Sequence, residues 1–461
     1  MLSFPASLRQ SLRIQKMPWS VEQVLALAPD ASSVKSGKDL ASPRKWKTLG
    51  LNDACAWGSI QGSGKDPYQT SIDLSGPAFK CTCPSRKFPC KHGLGLFLML
   101  AQQPAMLAEK SPPPWTTEWL AKRVEKEESK TAKATLPEKS ANPETVAKAA
   151  AMAEKRAASR EAKVASGLAE MGVWLDDLVR SGFAALPGKA SSFWENPAAR
   201  LVDAQAPGLA RRLSNLDGIT TTGERWPLKL LHEISLLHLA REAWGRLAAL
   251  PENSQADLRS AIGFTVNQQE VLASPGVRDQ WLVVGQRIEE DERLRTQRTW
   301  LFGKTTRRPA LCLSFSAGPN QPLDISLVPG ATLDAELAFY PSAWPLRALV
   351  KQRLNPPETI PPEFPHGSIA TANAFAASAL TANPWIERLP FAFPAVTLFQ
   401  RPQDWVIRDL AGHILSLNIS TEKAWVLYSL AGGKPMGLAG EWDGDSLTPM
   451  SVWAAGRFLR A

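Results

Sequence analysis

The first hundred residues change from a helical to a strand-like pattern of hydrophobic positions. Ser20, followed by a Glu-Gln pair and three aliphatic residues, predicts a capped helix that ends near Pro29. From Ala54 onward, the apolar segments ACAWGSIQ and YQTSIDL flank a turn-rich stretch, and the second alternates as a half-buried strand does. A further turn leads into the segment that carries Cys81. The pattern therefore predicts a three-stranded β-meander that ends at this cysteine.

The middle of the chain has a helical pattern. A run of prolines at 112–114 precedes a predicted helix over 116–128, and the polar residues 129–142 are typical of a flexible linker. A longer helix is predicted from Pro143 to Phe183, with more helices to about residue 272. One apolar stripe marks the second half of the long helix and should dock on a core. It consists of Leu168, Met171, Leu175, Leu178 and Val179.

Beyond Val277 the apolar runs become short and are bounded by Gly, Pro, Asn and Asp, which favours strands. A proline-rich insertion covers about 355–395. The predicted strands are QWLVVGQRI, PALCLSFS, LDISLV, WVIRDL, HILSLNI and KAWVLYSL. Tryptophans such as Trp405, Trp425 and Trp442 are interpreted as packed core residues, because each buries a large area. This part of the chain is therefore expected to be rich in β-structure.

The pattern as a whole predicts the α+β class. An N-terminal β-meander with a ββα-like finger module around the cysteine-rich segment is followed by a helical linker and a larger β-rich C-terminal α+β domain. The predicted divisions are residues 1–108 for the finger module, 109–165 for the charged linker, 166–276 for a helical domain and 277–461 for the C-terminal domain.

Composition places the chain among ordinary globular proteins, with 44% hydrophobic and 21% charged residues in a length of 461. No stretch approaches the roughly 20 apolar residues that span a bilayer. The segment MLSFPASLRQSLRIQK lacks the apolar run of a secretory signal, so we expect a cytoplasmic protein without membrane contact.

The basic charge is concentrated near the N-terminal end. The first 100 residues carry 13 Lys or Arg and 6 Asp or Glu, within a net charge of +9 for the whole chain. Such asymmetry indicates a polyanionic partner for that end, although a moderate excess also serves solubility alone.

Three of the five cysteines form a cluster with one histidine, in the spacing Cys-x-Cys, six residues, Cys-x-His. Three thiolates and one imidazole complete a tetrahedral set for one Zn²⁺, and four protein ligands make such a site structural. An iron–sulfur centre and an oxidised dithiol are the alternatives, and the histidine argues against the first. The predicted ligands are Cys81, Cys83, Cys90 and His92.

The cluster and the apolar segment after it, FKCTCPSRKFPCKHGLGLFLML, resemble the SWIM zinc finger. The wider run from GSGKDPYQTSIDLSGPAF onward is similar to bacterial SWIM-domain proteins, and the resemblance covers about residues 45–105. SWIM modules are associated with DNA binding or protein–protein contacts. The resemblance also implies protein partners, namely MoxR-type AAA ATPases and von Willebrand A-type proteins.

Basic residues surround the cluster, and we take five of them as candidates for contact with DNA or RNA through phosphates. Phe79, Phe88 and Tyr68 lie between them and could stack on bases or shield the metal. Alternatively, the cations offset the negative charge of a three-thiolate zinc site. The five candidates are Lys65, Lys80, Arg86, Lys87 and Lys91.

The helix expected at 93–100 is apolar nearly all round, so the finger should be embedded in a domain.

The sequence therefore predicts a non-catalytic, zinc-binding adaptor that mediates nucleic-acid or protein contacts in a bacterial complex. The alternative is an enzyme with an unrecognised active site in the C-terminal half, since composition and fold alone do not determine function.

Overall fold

The computed structural model describes residues 19–25, 27–62, 64–108, 110–135, 143–291, 294–316, 323–355, 357–358 and 362–461. The N-terminal segment considered above as a signal and residues 136–142 of the predicted linker lie outside the described residues. The helices are α1 Val21–Leu25, α2 Ala31–Leu40, α3 Lys91–Gln102, α4 Pro114–Thr135, α5 Pro143–Ser181, α6 Ser192–Asp203, α7 Pro207–Ser214, α8 Leu216–Ile219, α9 Trp226–Gly245, α10 Glu252–Ile262, α11 Gln268–Ala273, α12 Ile369–Ala382 and α13 Thr421–Ala431. The strands are β1 Trp46–Leu51, β2 Cys55–Ile60, β3 Tyr68–Asp73, β4 Ala78–Cys81, β5 Val277–Asp291, β6 Leu294–Gly303, β7 Pro309–Ser316, β8 Thr332–Phe339, β9 Ala348–Arg353, β10 Leu389–Gln400, β11 Trp405–Asp409, β12 Ile414–Leu417, β13 Met436–Trp442, β14 Leu447–Ala454 and β15 Arg457–Arg460.

The N-terminal sheet is an antiparallel meander in the order β1-β2-β3-β4. The prediction of three strands was wrong by one, because β1 gives only a weak hydrophobic signal. Its buried positions are Trp46 and Gly50, and a glycine adds nothing to an apolar alternation. A Cβ on Gly50 would lie 2.4 Å from the ring of Trp57, so the absent side chain is what lets the β2 tryptophan lie flat on β1.

The predicted cap of the first helix is confirmed. The Ser20 amide donates to Gln23 Oε1 at 2.8 Å, and the Gln23 amide donates to Ser20 Oγ at 3.2 Å, which satisfies two donors that a helix start leaves free. A second helix, α2, follows after Pro29 and was not predicted. Asp30 caps it by accepting a bond of 2.7 Å from the Ser33 amide.

Helix α3 forms the centre of the N-terminal core. Every residue from His92 to Leu100 is buried, which confirms that this helix is embedded. It packs against α1, α2 and the inner face of the sheet. Two glycines allow this close approach: a Cβ on Gly95 would lie 2.7 Å from Leu40 Cβ, and one on Gly93 would lie 2.9 Å from the Phe79 ring.

The central part of the chain is helical from Pro114 to Ala273 among the described residues. Helix α4 continues through Thr135, so the first part of the predicted linker 129–142 is helical instead of irregular. The apolar stripe on α5 packs in a core as predicted, since Leu168, Met171, Leu175 and Leu178 are all buried. Val179 was wrongly included, since it is 54% exposed: it follows buried Leu178 and therefore points about 100° away from the stripe.

The C-terminal region contains two antiparallel sheets, in the orders β7-β6-β5-β8-β9 and β12-β11-β10-β13-β14-β15. A parallel pairing between Leu417 and Leu447 also joins β12 to β14. One hydrophobic cluster contains Trp300 and Phe302 from the first sheet and Phe391 and Phe393 from the second, so the sheets share a core. The class α+β is confirmed.

Two of the predicted strands are wrong. Residues 323–328 are irregular, and the Asp324 side chain accepts the Ser326 amide at 2.8 Å in a local turn. The segment KAWVLYSL belongs to helix α13, where Ser420 caps the start and Gly432, at φ 58°, ends the helix. These end signals outweigh the β-propensity of the aromatic and branched residues between them.

The N-terminal meander and helices are docked on the C-terminal sheets. Val328 and Ala331 from the loop before β8 belong to the same hydrophobic cluster as α3. The buried Gln23 side chain donates to the Pro329 carbonyl at 3.3 Å, and Glu22 pairs with Arg457 at 2.9 Å. The N-terminal elements therefore contact the C-terminal sheets directly, through both apolar and polar side chains.

Among the described helices, none combines the length and the apolar composition that a bilayer crossing requires.

Candidate metal centre

The four predicted metal ligands come together from a strand end, a turn and a helix start. Cys81 is the last residue of β4, and Cys83 lies in the turn that follows. Cys90 is the N-cap of α3, and His92 is in the first turn of that helix. Their ligand atoms all lie within 4.8 Å of one another, so the spacing in the sequence does describe one site.

Backbone register and hydrogen bonds hold these donors in place. Cys81 is opposite Thr70 on β3, and the Thr70 hydroxyl lies 3.2 Å from Cys81 Sγ, where it can donate to a thiolate. The Gly93 amide donates to Cys90 Sγ at 3.5 Å, as an N-cap acceptor requires. His92 Nδ1 is 3.7 Å from Cys81 Sγ, and the Tyr68 ring covers the imidazole at a centroid distance of 5.3 Å. Thr70 is a supporting residue that the sequence motif did not indicate.

The close packing of the donors shifts the pKa values of Cys83, Cys90 and His92. Hydrogen bonds from the neighbouring cysteines lower the pKa of Cys83 far below that of a free thiol. Hydrogen bonds to Cys81 and Cys83, together with burial, raise the pKa of Cys90 far above that of a free thiol. Burial acts to lower the pKa of His92, but hydrogen bonds to Cys81 and Cys83 outweigh it and raise the value to about 9. A dication would stabilise all three thiolates at once and release these protons.

The donor set fits one structural zinc. Three sulfur atoms and one imidazole nitrogen fill a tetrahedral site, which leaves no position for water or substrate. Cys90 and His92 are buried, at 7% and 5% exposure, and Phe79 packs behind α3 at Gly93. We call residues 82–89, between β4 and the N-cap of α3, the finger loop. A bound metal would link β4, Cys83 and α3, and it would thereby fix the conformation of the finger loop.

The five basic candidates are all exposed, but they are not equivalent. Lys87 Nζ pairs with Asp30 at 2.7 Å and with the Ser32 hydroxyl at 2.9 Å. It therefore ties the finger loop to the start of α2. No ion pair is present among the described residues for the other four, which are Lys65 in the β2–β3 turn, Lys80 on β4, Arg86 in the finger loop and Lys91 at the start of α3.

The aromatic residues near the cluster mostly shield it. Phe79 is buried and packs edge-on against Phe97, and Tyr68 is half-buried against His92. Phe88 in the finger loop is the exception, with 39% of its side chain exposed. It alone of these three rings has a free face for a ligand.

The C-terminal tryptophans were interpreted as core residues, and this is correct for Trp405, which is 5% exposed. Trp442 is partly buried against the same core. Trp425 is an exception at 50% exposure, because it lies on the outer face of α13 and not on a strand.

Comparison with known protein families gives two matches. The SWIM zinc finger family matches residues 73–101, which contain all four donors. The SWIM-associated four-helix bundle domain matches residues 159–262, from α5 to the end of α10. No match was found among curated proteins or among solved structures.

Proposed function

We propose that this chain, which carries a SWIM zinc finger and a SWIM-associated four-helix bundle, is a non-catalytic adaptor whose zinc-held finger loop contacts nucleic acid. SWIM domains are generally interaction modules. The main support for the proposal is that the basic residues of the finger are exposed to solvent. The metal cluster beside them has four protein donors, which leaves no position for a substrate. A cluster of thiolates also suits the reducing cytoplasm.

The position of α3 restricts how nucleic acid could be bound. This helix is buried on all sides, so it cannot enter a DNA groove as the recognition helix of a free finger does. Nucleic acid would therefore contact the finger loop and the neighbouring strand ends. Their lysines and arginine would bind phosphates, which predicts salt-dependent affinity with little sequence preference.

Fluorescence anisotropy of the zinc-loaded full chain, with labelled single- and double-stranded oligonucleotides, tests this proposal. The variant Lys80→Ala/Lys91→Ala should weaken binding and reduce the slope of log affinity against log salt by about 2, one for each phosphate that the variant no longer binds. Lys87 is unsuitable for this purpose, since its replacement would also free the finger loop from Asp30.

Lys155→Ala/Arg156→Ala is the matched control, because it removes two exposed positive charges from α5. If both double variants bind as tightly as the unaltered chain, or if the chain binds no oligonucleotide at about 50 mM salt, the proposal is wrong. The basic residues would then serve to offset the charge of the zinc cluster.

A second candidate function is recruitment of protein partners, and a specific surface favours it. Leu410, Ile414, Trp425 and Val426 are 82%, 50%, 50% and 56% exposed, on or beside α13 and the β11–β12 hairpin. Exposed apolar groups of this kind often mark interaction surfaces. MoxR-type AAA ATPases and von Willebrand A-type proteins are the partners that the family resemblance implies. Co-purification that is abolished in Trp425→Ser/Val426→Ser, with the finger intact, would support this candidate, and retention would contradict it.

A further inference from the structure

A cleft of about 730 Å³ lies where the finger loop faces the C-terminal sheets. One wall consists of the segment after α1 and the finger loop residues Arg86, Lys87 and Phe88. The opposite wall comes from β5, β6, β14, β15 and the start of α13. The volume falls within the range of roughly 300–1,000 Å³ that is usual for small-ligand sites.

The charge of this cleft is strongly one-sided. None of the side chains that line it is acidic, whereas six are basic. Within the described residues, ion pairs with carboxylates are seen for Lys87 with Asp30, for Arg287 with Glu289 at 3.5 Å and Glu441 at 3.9 Å, and for Arg295 with Glu290 at 2.8 Å. For Arg86 and Lys423, no ion pair is present within the part of the chain that the structure describes. The basic residues are Arg86, Lys87, Arg287, Arg295, Lys423 and Arg460.

The rest of the lining restricts which anion fits. Leu27, Ile288 and Ile325 contribute apolar side chains to the lining, and Phe88, a residue that is 39% exposed, contributes an aromatic ring. Guanidinium groups bind phosphate in bidentate geometry, and an aromatic ring stacks on any nucleobase. Acidic side chains would satisfy the cations, but they carry no aromatic ring to stack on Phe88. A nucleoside phosphate satisfies both kinds of surface.

We infer that this cleft binds a nucleoside phosphate, either as a free nucleotide or as one residue of a single strand, with its phosphate beside Arg86 and Lys423 and its base against Phe88. The inference rests on the proposed function and deepens it, since it places the nucleic acid between the finger loop and the C-terminal sheets. Duplex DNA would not present an unpaired base to this ring.

Two lysines, one in the first turn of α13 and one just beyond its end, provide a matched test. Lys423 lines the cleft at the start of this helix, and Lys434 is an exposed lysine beyond its end. Binding of fluorescein-labelled dT10 to the zinc-loaded full chain should weaken several-fold in Lys423→Ala and Phe88→Ala, whereas Lys434→Ala should bind as the unaltered chain does. Displacement of the probe by dTMP would assign the site to free nucleotides, and displacement only by unlabelled dT10 would assign it to a strand.

The outcomes separate this inference from the proposed function. If Lys80→Ala/Lys91→Ala weakens binding while Lys423→Ala and Phe88→Ala do not, the finger binds nucleic acid elsewhere and the cleft assignment is overturned. Displacement of the probe by poly-glutamate more effectively than by dT10 would assign the cleft to an acidic peptide instead. Absence of any dT10 binding would overturn the cleft assignment, and it would overturn the proposed function as well if the chain also binds no duplex oligonucleotide.

Discussion

At the scale of single residues, the zinc donors were predictable because they are close in sequence and chemically distinctive. Cys-x-Cys at a strand end and Cys-x-His at a helix start bring four donors together with little help from the rest of the fold. The supporting contacts were not predictable in this way. The pair of Lys87 with Asp30 and the approach of Thr70 to Cys81 depend on how α2 and β3 are placed.

Cys90→Ser should reduce bound zinc from one equivalent per chain and should destabilise the N-terminal core. Cys90 supplies one of four donors and also caps α3 through the bond from the Gly93 amide. Elemental analysis of the purified chain measures the metal directly. Cys312→Ser is the control, since Cys312 is on β7 and outside the cluster, and full zinc content in Cys90→Ser would exclude Cys90 as a ligand.

His366 makes stability depend on pH at a site far from zinc. It is 4% exposed, it lies among the rings of Phe302, Phe375, Phe391 and Phe393, and its Nδ1 accepts a bond of 3.1 Å from the Ala392 amide. Burial lowers the pKa of this imidazole to about 4. The unfolded chain therefore binds a proton at higher pH than the folded one, so stability decreases as the pH falls from about 6.5 towards 4.

The expected decrease from His366 is about 2 kcal/mol of unfolding free energy between pH 8 and 5. Denaturant unfolding of the full chain and of His366→Phe at the two pH values measures it. The variant should lack this part of the pH dependence, because a phenyl ring cannot be protonated. An equal decrease in both proteins would show that the carboxylates, and not His366, cause it.

At the scale of elements, the sequence predicted the helical middle of the chain and about half of the strands, but it missed elements whose type is determined by their end residues. KAWVLYSL has the composition of a strand, yet Ser420 and Gly432 cap it as a helix. The long α5 was predictable because its periodicity continues over many turns. Strand β1 was not, since one of its two buried positions is Gly50.

Gly95→Leu should disrupt the packing of α3 against α2. A Cβ at this position would already lie 2.7 Å from Leu40 Cβ and 3.2 Å from the Leu40 carbonyl carbon, so the helices would have to separate. We expect the unfolding free energy to fall by roughly 2 kcal/mol or more, which exceeds the gain of up to ~1 kcal/mol from replacing glycine in a helix.

Gly64→Ala serves as the control for this steric argument, because nothing lies within 4 Å of a Cβ built there. It should change stability by less than ~0.5 kcal/mol in the same thermal or denaturant measurement. If Gly95→Leu is as stable as Gly64→Ala, the packing described for α3 is incorrect.

At the scale of the whole molecule, the packing of the N-terminal elements against the C-terminal sheets depends on contacts between residues far apart in sequence. Local hydrophobic patterns in the sequence do not predict such contacts. The cleft has walls from Arg86 and Lys423, which are far apart in sequence. The core around α3 is formed in the same way, since Val328 and Ala331 join it from a distant part of the chain.

A buried ion pair connects the two C-terminal sheets and should be costly to break. Glu441 on β13 is 1% exposed and accepts from Arg298 Nε at 2.8 Å and from Trp300 Nε1 at 2.8 Å, both on β6. Arg298→Met should reduce the unfolding free energy by about 3–5 kcal/mol, because it leaves a buried carboxylate with fewer partners.

The double variant Arg298→Met/Glu441→Leu should recover part of that stability, since it removes the buried charge as well but leaves the buried Trp300 Nε1 without its acceptor. Arg278→Met, which breaks an exposed pair with Asp334, should have little effect. A single Arg298→Met variant as stable as Arg278→Met would contradict the assignment of this pair as a link between the sheets.

The most direct test of the account is amide hydrogen exchange of the full chain with zinc and after its removal by a chelator, with the metal content verified. The account predicts that removal raises exchange at least roughly tenfold in β4, the finger loop and α3, because the closed four-donor site holds them together. Exchange in β5, β6 and β8 should change little, since these strands are stabilised by their own sheet. Unchanged protection of α3 in the zinc-free chain would contradict a structural role for the metal.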